Sequence, residues 1–120
     1  IGSYVYLRRI FEYLINQAYE KAKKEGTVKE SDYMAVRVDE RIELLKGYLP
    51  EFLVKNKSMY SILSLGIHEL DEAKCLAHFP TLQIGIEIIL DEQLEIKKRE
   101  EKNNLAEKKI RDLKGKINQK

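Results

Sequence analysis

Apolar residues near the start of the chain recur at helical spacing, uninterrupted by proline or glycine. The spacing i, i+3, i+4, i+7 places them on one face of a helix. The members of this face are Tyr6, Leu7, Ile10, Phe11, Leu14, Ile15, Ala18 and Ala22. The sequence predicts a helix over residues 3–24, with Ser3 as its N-cap, Gly26 as its stop, and Tyr4 and Tyr19 at its margins.

A second helix is predicted between Ser31 and Pro50. Its apolar residues lie four, four and three positions apart, and proline forbids normal continuation of the helix. These residues are Met34, Val38, Ile42 and Leu45.

The third apolar pattern ends in a glycine and a histidine. Asn56 or Ser58 is suited to cap this helix, and Met59, Ile62 and Leu63 are expected to face inward. Gly66 and His68 then fall where this helix ends or bends.

A final helix is predicted to begin with Asp71 as its N-cap. Pro80 favours a break or kink between His78 and Thr81, or a fresh start at Thr81. The run from Leu82 to Leu90 is so rich in apolar residues that it is expected to form a buried helix.

Beyond this run the chain becomes basic. Residues 97–120 hold ten lysines and arginines against four carboxylates, a net charge of +6, so residues 1–96 carry −4 of the total +2. Segment 97–104 has no apolar residue. Beyond it, apolar residues recur at spacings of four, three and four, and this seam is sufficient for a partner contact or for dimerisation. The seam residues are Ala106, Ile110, Leu113 and Ile117.

Composition agrees with a helical protein. The 120 residues are 43% apolar and 35% charged, with little glycine or proline. We expect an all-α fold: a compact bundle of four to five helices over residues 1–96, and a basic helical extension over residues 97–120. Because the chain starts Ile1-Gly2-Ser3, without an initiator methionine, we also expect it to be a fragment of a larger prokaryotic protein.

Several classes of function receive no support from the sequence. No apolar run is long enough to span a membrane and no signal peptide is present, so we expect a cytoplasmic protein without membrane contact. Cys75 is the single cysteine. Its spacing from His68 and His78 matches no ordinary zinc pattern, and the standard catalytic and nucleotide-binding motifs are absent. We predict no metal and no cofactor.

Candidate chemistry rests on one histidine and three cations. His68 is either a structural corner residue, hydrogen-bonded through one ring nitrogen, or a catalytic group. Arg37, Arg41 and Lys57 are candidate binding residues, although nearby carboxylates make an exposed ion-pair surface the alternative for Arg37 and Arg41.

Three stretches resemble helical domains of the HEPN superfamily over about residues 3–96. They are Tyr6-Leu7-Arg8-Arg9-Ile10-Phe11-Glu12-Tyr13-Leu14-Ile15, Arg41-Ile42-Glu43-Leu44-Leu45 and Ser61-Ile62-Leu63-Ser64-Leu65-Gly66-Ile67-His68-Glu69. Many members of that superfamily are metal-independent RNA endonucleases that use an Arg-x4–6-His motif at a dimer interface. Others are inactive interaction modules in defence and stress systems.

The resemblance implies a role for His68 alone. The arginine of the motif would stand at one of residues 61–63, and this chain has Ser61, Ile62 and Leu63 there. We therefore expect a noncatalytic interaction or oligomerisation module that binds a protein partner or itself, with a homodimer as one form. The alternatives are a metal-independent RNA endonuclease with His68 in its active site, and nucleic-acid binding through the basic C-terminal helix.

Overall fold

The computed structural model describes residues 2–69 and 71–118. Within these ranges the chain forms six α-helices, one 3₁₀ turn and no strand, which confirms the all-α class and the long C-terminal helix. The elements are α1 (Gly2–Glu25), α2 (Glu30–Met34), α3 (Val38–Leu44), the 3₁₀ turn (Lys46–Tyr48), α4 (Glu51–Lys55), α5 (Ser58–His68) and α6 (Glu72–Asn118).

Helix α1 stops where the sequence predicts, because Gly26 takes a left-handed conformation with φ of 77°. Its N–H donates to the Lys23 carbonyl over 3.1 Å, and the Thr27 N–H donates to the Ala22 carbonyl over 3.0 Å. This pair of bonds is the Schellman motif, which satisfies carbonyls at the helix end. The prediction for Ser3 was wrong, since Ser3 lies inside the helix.

The predicted second helix is divided into α2, α3 and the 3₁₀ turn. In a continuous helix the Tyr33 carbonyl would accept the backbone N–H four residues later. Here it accepts the Arg41 Nε–H over 3.0 Å instead, and the chain turns between the two short helices. Met34, expected in the core, is consequently 58% exposed.

Neither predicted side-chain cap is used at the start of α5. The Asn56 side-chain amide donates backwards to the Phe52 carbonyl over 3.0 Å, and Ser58 is the first residue of the helix. Ile62 is 42% exposed rather than buried, whereas Met59 and Leu63 face inward as expected.

Helix α6 begins as predicted but does not end at its proline. The Asp71 carboxylate accepts the Lys74 N–H over 2.8 Å, which confirms the cap. Pro80 lies inside a continuous helix, so Thr81 starts no new segment. Leu76, whose carbonyl loses its partner at Pro80, is exposed, so water can reach this turn.

The apolar run of α6 is amphipathic rather than wholly buried. Leu82, Ile86 and Ile89 are in the core, but Ile84 is 59% exposed. Only one stripe of α6 faces the bundle, because the helices that pack on it cover a single side. In the residues that the structure describes, no helix is both long enough and apolar enough to cross a membrane.

The core forms mainly where α1 and α5 pack against each other in opposite directions. Tyr4 lies against Gly66 near one end, and Phe11 and Tyr60 have ring centroids 6.1 Å apart farther along. A Cβ at position 66 would overlap two ring carbons of Tyr4, a side chain that is almost fully buried. Glycine at this position therefore sets how closely the two helices approach.

Helix α6 leaves the bundle after residue 100. Lys21 near the end of α1 forms an ion pair with Glu100, while residues 101–118 are all exposed. The molecule is accordingly elongated, with principal extents of 72 × 33 × 20 Å. The described residues thus form a compact bundle and a projecting helix.

We expect Gly66→Ala to destabilise the protein by about 1–3 kcal/mol, because the Tyr4 ring has to move out of a packed position. Gly85→Ala is the matched control. There the nearest atom to an added Cβ is the flexible end of Met59, at 2.7 Å, and alanine improves helix propensity. Urea unfolding should give little loss for the control, and equal losses in the two variants would contradict this interpretation.

Candidate functional site

His68 is the last residue of α5, and its side chain is exposed. Within residues 2–69 and 71–118 the imidazole forms no side-chain hydrogen bond and no ion pair. The hydrogen-bonded corner residue expected from the sequence therefore finds no partner in the described residues. An exposed imidazole at a helix end remains free to contact a partner molecule.

Residues other than His68 hold together the corner between α5 and α6. The Tyr4 hydroxyl donates to the Cys75 carbonyl over 3.0 Å, and the Cys75 thiol donates to the Gly66 carbonyl over 3.2 Å. Burial raises the pKa of Tyr4, with a further contribution from Cys75. These two bonds link α1, α5 and α6, so the position of His68 is set by Tyr4 and Cys75.

A polar cluster missed by the sequence interpretation lies between α1 and α5. Arg8 Nε is 3.7 Å from Glu12 Oε1, and the Tyr60 hydroxyl donates to Glu12 Oε2 over 3.2 Å. Burial and the Glu12 carboxylate raise the pKa of Tyr60. The only signal in the sequence was the i, i+4 spacing of Arg8 and Glu12. Tyr60 lies two turns before His68, about 12 Å along the helix, and the Arg8 guanidinium is paired with the Glu12 carboxylate.

Arg41, a predicted binding residue, is half-buried and packs on Tyr33. Its Nε–H donates to the Tyr33 carbonyl over 3.0 Å, and its guanidinium carbon lies 4.6 Å from the centroid of the Tyr33 ring. Tyr33 stacks in turn on Tyr19, with centroids 3.8 Å apart. Burial raises the pKa of Tyr33, although Arg41 acts in the opposite direction. Arg41 therefore has a structural role in holding α2 against α1.

The other two predicted binding residues are also separate from His68. Lys57 Nζ lies 2.9 Å from a Glu43 carboxylate oxygen, and this bond lowers the pKa of Glu43. Lys57 stands eleven residues before His68, or about 16 Å along α5. Arg37 is exposed at the start of α3, where its carbonyl accepts the Arg41 N–H over 2.8 Å.

Candidate metal ligands do not converge in the described residues. No group of three or more histidine, cysteine, aspartate or glutamate side chains there is arranged to hold a metal ion. Cys75 is buried, and its thiol is directed to the Gly66 carbonyl.

Two open grooves and one exposed apolar stripe lie along α6. An open groove of about 740 Å³ runs between the start of α4 and α6. We call it the acidic groove, because its lining holds four carboxylates, Glu51, Asp91, Glu92 and Glu95, against two basic residues, Lys98 and Arg99. Its apolar lining residues are Leu49, Ile88, Leu94 and Ile96. Glu92 accepts the Phe52 N–H over 3.2 Å and thereby holds the start of α4.

The seam on the projecting end of α6 is exposed. Ile110, Leu113 and Ile117 are 64%, 58% and 60% exposed. We call this stripe, together with Ala106, the tail seam. Isolated apolar side chains on a surface are common, but three on one face of a helix without a core form a contiguous strip.

A second open groove, of about 770 Å³, lies between α1 and α6 on another side of the bundle. We call it the tyrosine groove. Tyr6, Tyr13 and Leu94 provide its apolar lining, and its only charged lining residues are Arg9 and Lys97. It is therefore positive where the acidic groove is negative.

Comparison with known proteins gave no match to a family model, to a curated protein or to a solved structure.

We expect the protein to lose stability as pH rises above 10.0, the ordinary pKa of tyrosine, because burial raises the pKa of Tyr4 in the folded state. The unfolded chain then releases the proton first. The stabilisation from the protonated Tyr4 hydroxyl is complete below pH 10.0, and it is lost as pH rises through the pKa of Tyr4 in the folded state. Tyr4→Phe should flatten the alkaline decline, while costing about 1 kcal/mol at neutral pH through the lost hydrogen bond. Urea unfolding at several pH values measures both effects, and an unchanged alkaline slope would contradict the assignment.

We expect Arg41→Ala to cost about 1–2 kcal/mol, because it removes both the cation–π contact and the bond to the Tyr33 carbonyl. Arg41→Lys should cause a smaller loss of stability than Arg41→Ala, since lysine keeps the positive charge but lacks the planar guanidinium donor. Arg37→Ala is the exposed control and should change stability by less than about 0.5 kcal/mol. Thermal unfolding monitored by circular dichroism gives the comparison, and equal effects at the two arginines would refute a structural role for Arg41.

Proposed function

We propose that this chain is a noncatalytic, HEPN-like helical module that acts in assembly or partner binding through the exposed surface of α6. The observation that carries the proposal is the tail seam, where Ile110, Leu113 and Ile117 are each at least 58% exposed on a helix that has left the bundle. Such a surface gains free energy by being covered, at roughly 25 cal/mol for each Å² of apolar area removed from water.

The surroundings of His68 support the noncatalytic part of the proposal. In RNA cleavage a histidine would move a proton at the ribose hydroxyl or the leaving oxygen, while a cation would stabilise charge on the phosphate. Arg41 is bound to Tyr33, and Lys57 is bound to Glu43. Neither of these predicted binding residues is available beside the imidazole.

Nucleic-acid binding through the basic helix is a second candidate, favoured by the charge of the projecting segment. Residues 97–118 contain nine lysines and arginines against four carboxylates. A phosphate backbone would be attracted to such a segment, and its affinity would fall steeply with salt. The segment lacks aromatic residues for base stacking, so its chemistry offers charge and aliphatic side chains alone.

We expect no cleavage when the folded protein is incubated with fluorescent single-stranded and structured RNA, with or without a chelator. The physical reason is that Arg41 and Lys57, two of the predicted binding residues, are bound to Tyr33 and Glu43 and do not stand beside His68 to stabilise charge on the phosphate. His68→Ala is the matched variant, and circular dichroism verifies that both proteins are folded. Cleavage that survives the chelator and disappears in His68→Ala would overturn the noncatalytic proposal. The same RNA, titrated at low and high salt, reports binding: tight binding with a steep salt slope would favour the nucleic-acid candidate.

A further inference from the structure

We propose that two copies of this chain pair antiparallel along α6, so that the tail seam of each copy lies in the acidic groove of the other. The inference rests on the proposed interaction role of α6 and names its partner as a second copy. Two properties of α6 point to this arrangement: the separation of charge along the helix, and the placement of exposed apolar residues from both halves on one face.

The charges of α6 change sign near residue 97. Residues 81–96 contain four carboxylates and no lysine or arginine, whereas residues 97–118 carry nine basic residues against four acidic ones. In a parallel pair, like halves would lie together and repel. In an antiparallel pair each basic half lies beside an acidic half, and such complementarity selects the orientation.

Exposed apolar side chains on the two halves share one face of the helix. Ile84 and Leu113 are 29 residues apart, as are Ile88 and Ile117, which is about eight turns of 3.6 residues. Ile84 is 59% exposed and Ile88 is half-buried at the acidic groove, so both are accessible. Residues 84–88 and 106–117 thus form the two parts of one strip, about 50 Å long in all and interrupted by charged residues between the two parts. The strip is directed away from the core residues Ile86 and Ile89.

A two-fold axis near residues 100 and 101 brings the two parts of this strip together. Ile117 then lies opposite Ile84 of the second copy, and Leu113 lies opposite Ile88. The same register sets Lys109 near Asp91 and Glu95 of the second copy. Because the pair is symmetric, every contact occurs twice.

The charges also exclude the other large groove as the position of the tail. The tyrosine groove has no carboxylate in its lining, and its charged lining residues, Arg9 and Lys97, would repel a basic helix. The acidic groove has four carboxylates against two basic residues. The acidic groove offers Asp91 and Glu95, which are exposed and form no ion pair within the described part of the chain.

Charge-reversal variants of the full chain test whether the tail seam of a second copy occupies the acidic groove. Sedimentation equilibrium over a concentration series should show dimers of the wild type. Asp91→Lys with Glu95→Lys should weaken the dimer by about tenfold or more, and Lys109→Glu should weaken it as well. The chain with all three changes should regain part of the affinity, because residue 109 again faces residues of opposite charge. Asp39→Lys with Glu40→Lys, at exposed positions of α3, controls for net charge.

Cross-linking tests the orientation. Two chains, one with Ile88→Cys and one with Leu113→Cys, should form a disulfide when mixed and oxidised, and neither should do so alone. The wild type, with buried Cys75, is the background control. Cross-linking of each variant with itself would establish a parallel pair and overturn the proposal. A wild type that stays monomeric throughout, or that binds only an acidic protein or RNA, would overturn it as well.

A failure of the antiparallel pairing can be distinguished from a failure of the proposed function. The noncatalytic role is contradicted by chelator-resistant RNA cleavage that requires His68, whereas antiparallel pairing is contradicted by the mass and cross-linking results.

Discussion

The close approach of α1 to α5 at Tyr4 and Gly66 is the constraint on which the rest of the bundle depends. With no side chain at Gly66, the Tyr4 ring lies directly on α5 and its hydroxyl reaches across to α6. Cys75 then returns a bond to the Gly66 carbonyl. One aromatic residue thereby joins three helices, and the corner that carries His68 is fixed by contacts below it rather than by the histidine.

Much of the architecture was predictable because it follows from local rules. The helical period of α1, the left-handed glycine at its end and the Asp71 cap of α6 each depend on residues close in sequence. The predictions that failed depended on tertiary contacts. Arg41 takes the Tyr33 carbonyl and divides the second helix, and no spacing rule shows which carbonyl a distant guanidinium will reach.

Burial of tyrosines illustrates the same limit at the candidate site. Tyr4 and Tyr19 were expected at helix margins, since a hydroxyl favours water, yet both are almost fully buried. The Tyr4 hydroxyl is compensated by its bond to the Cys75 carbonyl. The buried Tyr19 hydroxyl has no hydrogen-bond partner among the described residues, and its ring is held by stacking on Tyr33. The sequence identified His68 as the last residue before the corner, but of the two residues that hold the corner only Cys75 is close in sequence, whereas Tyr4 lies more than sixty positions away in α1.

The projecting half of α6 has to be stabilised by something other than the bundle. Propagation from the buried half favours the projecting helix, because extending an existing helix avoids the cost of nucleation. Opposite charges at i, i+4 spacing, such as Glu107 and Arg111, add a few tenths of a kcal/mol each. Neither effect requires Ile110, Leu113 or Ile117, because lysine and glutamate have comparable or better helix propensity. The exposed apolar residues add little to the monomer, whereas full burial of each would contribute about 1.5–3 kcal/mol. This difference is the physical argument for a covered α6.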